Sequence, residues 1–213
     1  MARKRNLVPK KLGKQQRAKA TVEAIVEAAT YILEKKGPSS FTANKVAEKA
    51  GVNIASFYQY FPNKEALLFH IVKSTWDHNL GKFEQNIKLR VENPAQRMRS
   101  LVREFFMIEA AEADLRQALR IASVDIKDTK EYRALMAAGA VMMRDFIVEA
   151  MGPQSAADLD FNTRFIGLLI TSFAERTTDE RTSGAELIRQ ANMLSEMVIA
   201  QFGIGTKANK RRP

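Results

Sequence analysis

Residues 43–62 read ANKVAEKAGVNIASFYQYFP, and this stretch decides the fold of the first third of the chain. Ala47 and Gly51 lie four residues apart. A small residue lets two helices cross closely, and a glycine adopts the positive φ of a tight turn. Apolar side chains on both sides of that turn should lock the helices together: Val46, Ala50, Val52, Phe57 and Phe61. The spacing therefore predicts two short helices joined by a sharp turn, a helix-turn-helix.

The second of these helices leaves short or hydrogen-bonding side chains outside the core. They are Asn53, Ile54, Ala55, Ser56, Tyr58, Gln59 and Tyr60. A helix of this size fits the major groove of B-DNA, where such side chains reach base edges. The alternative is an ordinary helical hairpin in a bundle, whose aromatic residues belong only to the core.

Charge separates the two ends of the chain. Residues 1–73 hold 14 basic and 5 acidic side chains, while residues 74–213 hold 20 and 19. Such an asymmetry suggests a polyanion partner for the N-terminal third, although a basic run also serves as a solubilising tail. We expect residues 1–16 to form a basic flexible arm and residues 207–213 a basic tail.

The motif resembles the DNA-binding domain of the TetR family of transcriptional regulators. The resemblance covers residues 17–70 and is carried by Phe41-Thr42, by VAEKAGV at 46–52 and by FYQYFPNKEAL at 57–67. It implies that Thr42, Tyr58, Tyr60 and Lys64 bind DNA phosphates, whereas Ile54, Ala55 and Ser56 face base edges. Tyr60 departs from the histidine that the family often has, so the phosphate contact is expected without its pH dependence.

Asn53 has two interpretations. Its amide can pair with an adenine in the major groove, or its side chain can cap the recognition helix. Without an arginine or another asparagine at a base-reading position, the operator sequence cannot be read from the chain.

Helical periodicity continues along the rest of the chain, and no segment alternates as a strand does. The predicted fold is all-α, with a three-helix helix-turn-helix domain at 17–63 and a six-helix domain at 64–206 for effector binding and dimerisation. Turn residues divide the helices at Gly37-Pro38, Asn93-Pro94 and Gly152-Pro153, and a polar turn is predicted at 177–183.

The last two predicted helices offer a seam for a homodimer, since a helix-turn-helix works as a symmetric pair. The predicted interface comprises Phe165, Phe173, Leu187, Ala191, Leu194 and Val198, with Ile188 and Met197 beside the last four and Phe161 and Leu168 on the face of the two phenylalanines. From periodicity alone, the same residues could instead close the core of one subunit. The resemblance favours the dimer, because the last two helices of the family form that interface.

Methionine and phenylalanine are frequent in the middle helices, where they could line an apolar cavity or simply fill the core. The resemblance implies an inducer pocket here. The predicted lining is Trp76, Phe83, Phe105, Phe106, Met136, Met143, Phe146 and Leu169. Arg103, Glu109 and Arg144 could hold a polar group of the ligand or face solvent.

Other classes of function find little support. The chain has no cysteine and its two histidines, His70 and His78, do not stand at metal-binding spacing, so no enzyme activity, metal or cofactor is expected. We expect a cytoplasmic, sequence-specific transcriptional regulator, a repressor that a small-molecule effector releases from double-stranded operator DNA. The alternative is a nonspecific architectural DNA-binding protein. No membrane partner is expected, because Glu23, Glu27 and Glu34 make the first helix a poor match to an anionic lipid surface.

Overall fold

The computed structural model describes residues 16–88 and 93–205, and these residues are helical throughout apart from short connections. The described part holds nine α-helices: α1 (Gln16–Lys36), α2 (Ala43–Lys49), α3 (Ile54–Tyr60), α4 (Lys64–Lys88), α5 (Pro94–Ala111), α6 (Ala113–Ala122), α7 (Lys130–Met151), α8 (Ala156–Asp179) and α9 (Gly184–Phe202). Single 3-10 turns lie at Pro38–Ser40 and Ser123–Asp125. The all-α prediction is confirmed. The predicted tail and residues 1–15 of the predicted arm lie outside the described residues, and Gln16, the last residue of that arm, is the first residue of α1.

The predicted polar turn at 177–183 is wrong at its beginning. Helix α8 continues to Asp179, and both Thr177 and Thr178 are buried in it. The Thr177 hydroxyl donates to the backbone carbonyls of Phe173 and Ala174, at 3.1 and 2.8 Å. A threonine that hydrogen-bonds back to the preceding turn can be buried in a helix, which polarity along the sequence does not reveal.

The described chain divides into two compact units whose boundaries differ from the predicted domain boundary at 63/64. The N-terminal unit comprises residues 16–77 and 114–135, and the C-terminal unit comprises residues 78–113 and 136–205. Helices α4 and α7 each contribute to both units. The functional division at 63/64 stays a prediction.

The core of the N-terminal unit is built around α1 and the two short helices. Val22, Ile25, Ala29, Ile32 and Leu33 of α1 are buried, as their helical spacing predicts. Val46, Phe57 and Phe61 are fully buried in the same cluster, and Ala50 and Val52 pack against it. Residues of α6, such as Ala118 and Leu119, complete this core.

The C-terminal unit is organised around α5, which packs against both α8 and α9. Arg97 of α5 is almost fully buried and donates two hydrogen bonds to the Glu149 carboxylate, at 2.5 and 3.2 Å. Its guanidinium also lies over the Phe146 ring, 5.4 Å from the centroid. Arg99 bridges to Glu196 of α9, and this hydrogen bond raises the pKa of Arg99 and lowers the pKa of Glu196.

Four of the predicted dimer-interface residues belong instead to the core of this unit. Leu187, Ala191, Leu194 and Val198 of α9 are each 4% exposed or less within the single chain. The prediction that they form an intersubunit seam is therefore corrected, because side chains that already fill a core have no surface left for a partner. Among the described residues, none of the helices is long and apolar enough to cross a membrane.

Candidate nucleic-acid interface

The turn between α2 and α3 has the geometry that its glycine predicts. Gly51 has φ 66°, a left-handed conformation that L side chains rarely adopt. Its N–H donates to the Glu48 carbonyl at 3.1 Å, and the Val52 N–H donates to the Ala47 carbonyl at 3.0 Å. These bonds close the end of α2 and direct the chain into α3, so the turn is held by backbone contacts.

Side-chain caps define where each helix of the motif begins. The Thr42 Oγ1 accepts from the Lys45 N–H at 3.3 Å and starts α2. The Asn53 Oδ1 accepts from the Ala55 N–H at 2.8 Å and starts α3, and the Asn63 Oδ1 accepts from the Ala66 N–H at 2.7 Å and starts α4. Because each cap satisfies an N–H that the helix itself leaves open, the three helix starts are fixed to a single residue.

Two buried phenylalanines orient α3. Phe57 and Phe61 are both 0% exposed and their ring centroids are 6.0 Å apart. The Phe61 ring also lies 5.7 Å from the His70 ring of α4. Burial lowers the pKa of His70, and the positive charge of Lys73 lowers it further. This side of α3 is thus anchored in the core, and the opposite side faces solvent.

The outward side of α3 carries some of the predicted DNA-binding residues. Ala55, Tyr58 and Gln59 are exposed and Ser56 is half-buried. Ile54 and Tyr60 are half-buried and pack against the core of the N-terminal unit. The Tyr58 ring packs edge-on against Phe57 at 5.3 Å, while 45% of the residue remains accessible. A partly exposed phenol whose ring packs against its neighbour suits a phosphate contact, and this role of Tyr58 stays a prediction.

The structure favours one of the two interpretations of Asn53. Its Oδ1 is already the N-cap acceptor of α3. A bidentate adenine contact needs the amide oxygen and the amide nitrogen of an asparagine at the same time. The cap uses one of the two lone pairs of this oxygen, so capping is the role that the structure shows and the adenine contact stays a prediction.

Exposed lysines lie near the starts of α2 and α4. Lys64 is exposed at the first residue of α4, and Thr42 is exposed at the start of α2. The predicted set omits Lys45, which is exposed one turn after the Thr42 cap. Its position three residues beyond a capping threonine is a signal that the sequence already contains. The Lys49 ammonium lies 4.1 Å from the centroid of the Tyr31 ring, and so it belongs to the packing of α1 against α2.

The residues predicted to line an effector pocket occupy different surroundings. Within the C-terminal unit, the Phe83 and Phe105 rings are 5.8 Å apart. The core of that unit contains Phe106, Met143 and Phe146, and Leu169 packs against it. Trp76 and Met136 are half-buried. Most of these residues thus pack in or against the core of the C-terminal unit. Their role in binding an effector stays a prediction.

The three charged residues considered as ligand anchors also differ. Arg103 is exposed, and Arg144 forms an ion pair with Asp160. Glu109 is 3% exposed and has an interaction of its own within the chain. Arg103 thus faces solvent, and Arg144 and Glu109 already interact with other residues of the chain.

A large apolar face remains exposed on α8 and α9, and we call it the apolar strip. It comprises Phe161, Phe165, Leu168 and Phe173 on α8 and Met193 and Met197 on α9, each between 42% and 66% exposed. The Phe161 and Phe165 rings stack at 5.6 Å. Four residues of the predicted seam thus lie on the open side: Phe161, Phe165, Leu168 and Phe173. Met193 is a residue that the sequence reasoning missed. Its four-residue spacing from Met197 was the available signal.

Comparison with known proteins finds similarity to bacterial transcriptional regulators in the helix-turn-helix region. Residues 20–71 match the family described as bacterial regulatory proteins, tetR family. The uncharacterised HTH-type transcriptional regulator YuxN of Bacillus subtilis is 31% identical over 70 residues, which cover 33% of this chain and 24% of that protein. The chain thus aligns with about a quarter of this relative's length.

Two further similarities extend beyond the motif. The uncharacterised HTH-type transcriptional regulator YdeS of Bacillus subtilis is 26% identical over 170 residues, covering 73% of this chain and 81% of YdeS. The crystal structure of the transcriptional regulator FadR from Bacillus subtilis, in complex with stearoyl-CoA, superposes with a TM-score of 0.69 at 16% identity, covering 84% of this chain and 97% of that one. At that identity the likeness shows the fold.

Proposed function

We propose, from the premise that this chain belongs to the TetR family of bacterial regulatory proteins, that it is a transcriptional repressor that reads operator DNA through α3. The observation that carries the proposal is the outward side of α3, where small and hydrogen-bonding side chains face solvent opposite two fully buried anchors. Side chains on that side are free to reach base edges when the helix lies in a major groove.

The contacts divide into two groups with different consequences. Ile54, Ala55, Ser56 and Gln59 are proposed to face base edges and to select sequence. Thr42, Tyr58, Tyr60 and Lys64 are proposed to bind phosphates, which position the protein and carry no sequence information directly. The Thr42 hydroxyl still has its own hydrogen to donate to a phosphate, because the cap uses only its oxygen as an acceptor.

The repressor is proposed to act as a homodimer through the apolar strip. Six large apolar side chains concentrated on two contacting helices form a face that favours association. A two-fold pair would place the same strip on both subunits and bury the phenylalanines and methionines against each other. The apolar strip takes the place of Leu187, Ala191, Leu194 and Val198 as the proposed interface, because those four side chains are buried in the core.

Release of the DNA is proposed to follow from a small-molecule effector that binds the C-terminal unit, in the cytoplasm where the operator lies. Such a ligand acts only if it binds one conformer of the dimer more tightly than another. A tenfold shift in population needs about 1.4 kcal/mol of difference between the two affinities.

The test is a fluorescence-anisotropy titration with DNA from upstream of the protein's own gene and a scrambled duplex, each at two salt concentrations. A sequence-reading repressor should prefer its operator by about a thousandfold or more. Equal, steeply salt-dependent binding to both duplexes and to sites selected from genomic DNA would instead identify a nonspecific architectural protein.

A matched pair of variants separates phosphate contacts from general charge. Lys64→Gln should weaken binding to every duplex and reduce the salt slope by about 1, as expected for one lost phosphate contact. Lys73→Gln removes the same charge on the same helix, where Lys73 is paired with Asp77, and should leave the slope unchanged. Equal slopes in the two variants would place Lys64 away from the DNA.

A further inference from the structure

The two buried phenylalanines of α3 define which of its side chains point away from the core. Phe57 and Phe61 lie four residues apart, and both are 0% exposed. With about 100° between successive residues of a helix, Gln59 lies about 200° from Phe57, on the opposite side. Gln59 is exposed, and so is Ala55, one turn before it. Ala55 and Gln59 therefore form the ridge of α3 that lies opposite the core, and we call it the outer ridge.

The other large side chains of α3 lie to the sides of the outer ridge. Ile54 and Tyr60 are half-buried and pack against the core of the N-terminal unit. The Tyr58 ring packs edge-on against a buried phenylalanine, with the two ring centroids 5.3 Å apart. Gln59 is thus the one long side chain that extends from the side of α3 opposite the core.

The Gln59 amide keeps both of its polar atoms for a ligand. Its side chain forms no hydrogen bond within the part of the chain that the structure describes. Asn53, the amide at the start of the same helix, already uses its oxygen to cap α3. The helix itself, with the sequence IASFYQY, contains no charged residue that would compete for the amide. Gln59 can therefore offer its amide oxygen and its amide nitrogen at the same time.

An amide that offers both atoms has one good partner among the base edges of the major groove. Adenine presents the N7 acceptor beside the N6 donor, and a glutamine amide pairs with both at once. Guanine presents two acceptors, N7 and O6, so the amide oxygen would face an acceptor. Thymine and cytosine each present one polar atom there, O4 or N4, and allow a single hydrogen bond. Gln59 therefore favours adenine.

Ala55 adds an apolar contact on the same ridge. An alanine methyl group suits the C5 methyl group of thymine, and a side chain this short lets the helix approach the base edges closely. Ala55 and Gln59 are about 6 Å apart along the helix axis, whereas successive base pairs are about 3.4 Å apart. When α3 lies along a major groove, the two side chains thus face base pairs no more than two steps apart.

We infer that the outer ridge selects A·T pairs: in each operator half-site Gln59 pairs with an adenine, and Ala55 contacts the methyl group of a thymine no more than two base steps away. This inference rests on the proposed function, and it names the base pairs that α3 requires. Gln59 determines specificity at the adenine, whereas the proposed phosphate contacts, such as Tyr58 and Lys64, carry no sequence information directly.

Selection of binding sites from a random-sequence duplex library tests the inference without a known operator. The parent protein should select sites in which an A·T pair recurs at one position of each half-site. Gln59→Ala should lose the preference at that position and keep the preferences elsewhere, because well-separated positions contribute almost independently. Its melting temperature should stay that of the parent, since Gln59 is exposed. An unchanged selected sequence, or a lost preference for a G·C pair, would overturn the inference.

A single-atom change in the selected duplex identifies the contact. Replacing the recurring adenine by 7-deazaadenine removes N7 and should weaken binding of the parent about tenfold in an anisotropy titration, as expected for a broken bidentate pair. The same replacement should leave Gln59→Ala unaffected, because that variant has already lost the partner of N7. Equal weakening of both proteins would assign the adenine to another residue and overturn the inference.

Tyr58→Phe is the matched control on the same helix. It keeps the ring that packs against Phe57 and removes only the hydroxyl. This variant should bind every duplex more weakly and by the same factor, while the adenine preference and the effect of 7-deazaadenine persist. Loss of the adenine preference in Tyr58→Phe as well would show that the preference depends on the placement of α3 and not on the Gln59 amide, and the inference would fail.

Deoxyuridine tests the contact of Ala55. Replacing each thymine near the recurring adenine by deoxyuridine removes one methyl group at a time. A replacement within two base steps should weaken binding of the parent several-fold, and no response at any of these thymines would overturn the role of Ala55.

The parent protein separates the two levels of the argument. If it selects no sequence from the library, the proposed function is contradicted. If it selects a sequence at which every position is insensitive to Gln59→Ala, only this inference is contradicted, because other residues then read the operator.

Discussion

Helices α3 and α9 both present one face to solvent, but different forces hold those faces in place. The seven-residue α3 is set by the glycine turn, by the Asn53 cap and by two buried phenylalanines, and its outward side is small and polar. The 19-residue α9 is set by four or more buried apolar side chains, and its outward side is apolar. A turn, a cap and two anchors thus fix the orientation of the short helix α3. Packing alone holds the long helix α9 and leaves an apolar surface on which a second subunit can bind.

The largest expected effect lies in the buried side of α9. Leu194→Ala should lower the free energy of unfolding by about 2–5 kcal/mol, because it leaves a cavity in the core of the C-terminal unit. Chemical denaturation at several protein concentrations checks this. The loss should be the same at every concentration, since Leu194 lies inside one chain.

The adjacent Met193 provides the contrast on the same helix. It is 57% exposed in the apolar strip, and so Met193→Ala should cost stability mainly through the dimer, with an effect that grows with protein concentration. A concentration-dependent loss in Leu194→Ala would instead return Leu194 to the subunit interface.

The second prediction tests whether the apolar strip of α8 and α9 is the dimer interface. Leu168→Glu should weaken the dimer about a hundredfold, because a two-fold axis brings the new carboxylate into the interface from both subunits. Sedimentation velocity measures the change in dissociation constant. Met107→Glu is the control, since Met107 is 47% exposed on α5 and lies outside the strip. A dimer that survives Leu168→Glu but separates in Met107→Glu would place the interface elsewhere.

The third prediction concerns the turn that aims α3. Gly51→Val should cost about 1–3 kcal/mol of stability and most of the DNA affinity, since valine is strained at positive φ. A Cβ at this position meets nothing within 4 Å, so the cost comes from the backbone and not from a clash. Gly51→Asn should retain more of both properties, because asparagine tolerates the left-handed region. Normal stability and operator affinity in Gly51→Val would disprove the role of the turn.

The two helices also explain how much could be predicted from the sequence. Around α3, Gly51, Thr42, Asn53 and Asn63 each specify a local backbone geometry, and local geometry depends on neighbours in the sequence. The bounds Ile54–Tyr60 and the buried Phe57 and Phe61 follow from those positions alone. The exposed side then follows by helical periodicity.

For α8 and α9 the pattern is ambiguous, because both helices carry apolar residues on two sides. Leu194 and Met193 are both apolar, and the packing of α9 against α5 and α8 decides that Leu194 faces inward. Periodicity finds the faces of a helix but does not rank two apolar faces against each other.

The smallest expected effect on stability tests which role Asn53 has at the start of α3. Asn53→Ala should lower stability by about 1 kcal/mol through the lost N-cap and should weaken operator binding. Asn53→Ser restores a capping oxygen but cannot make a bidentate contact with adenine. If Asn53 acts as a cap, serine should recover both stability and sequence preference, as followed by thermal unfolding and by anisotropy on single-base operator variants. If stability recovers but the preference at one base pair is lost, then Asn53 contacts that base pair in addition to capping α3.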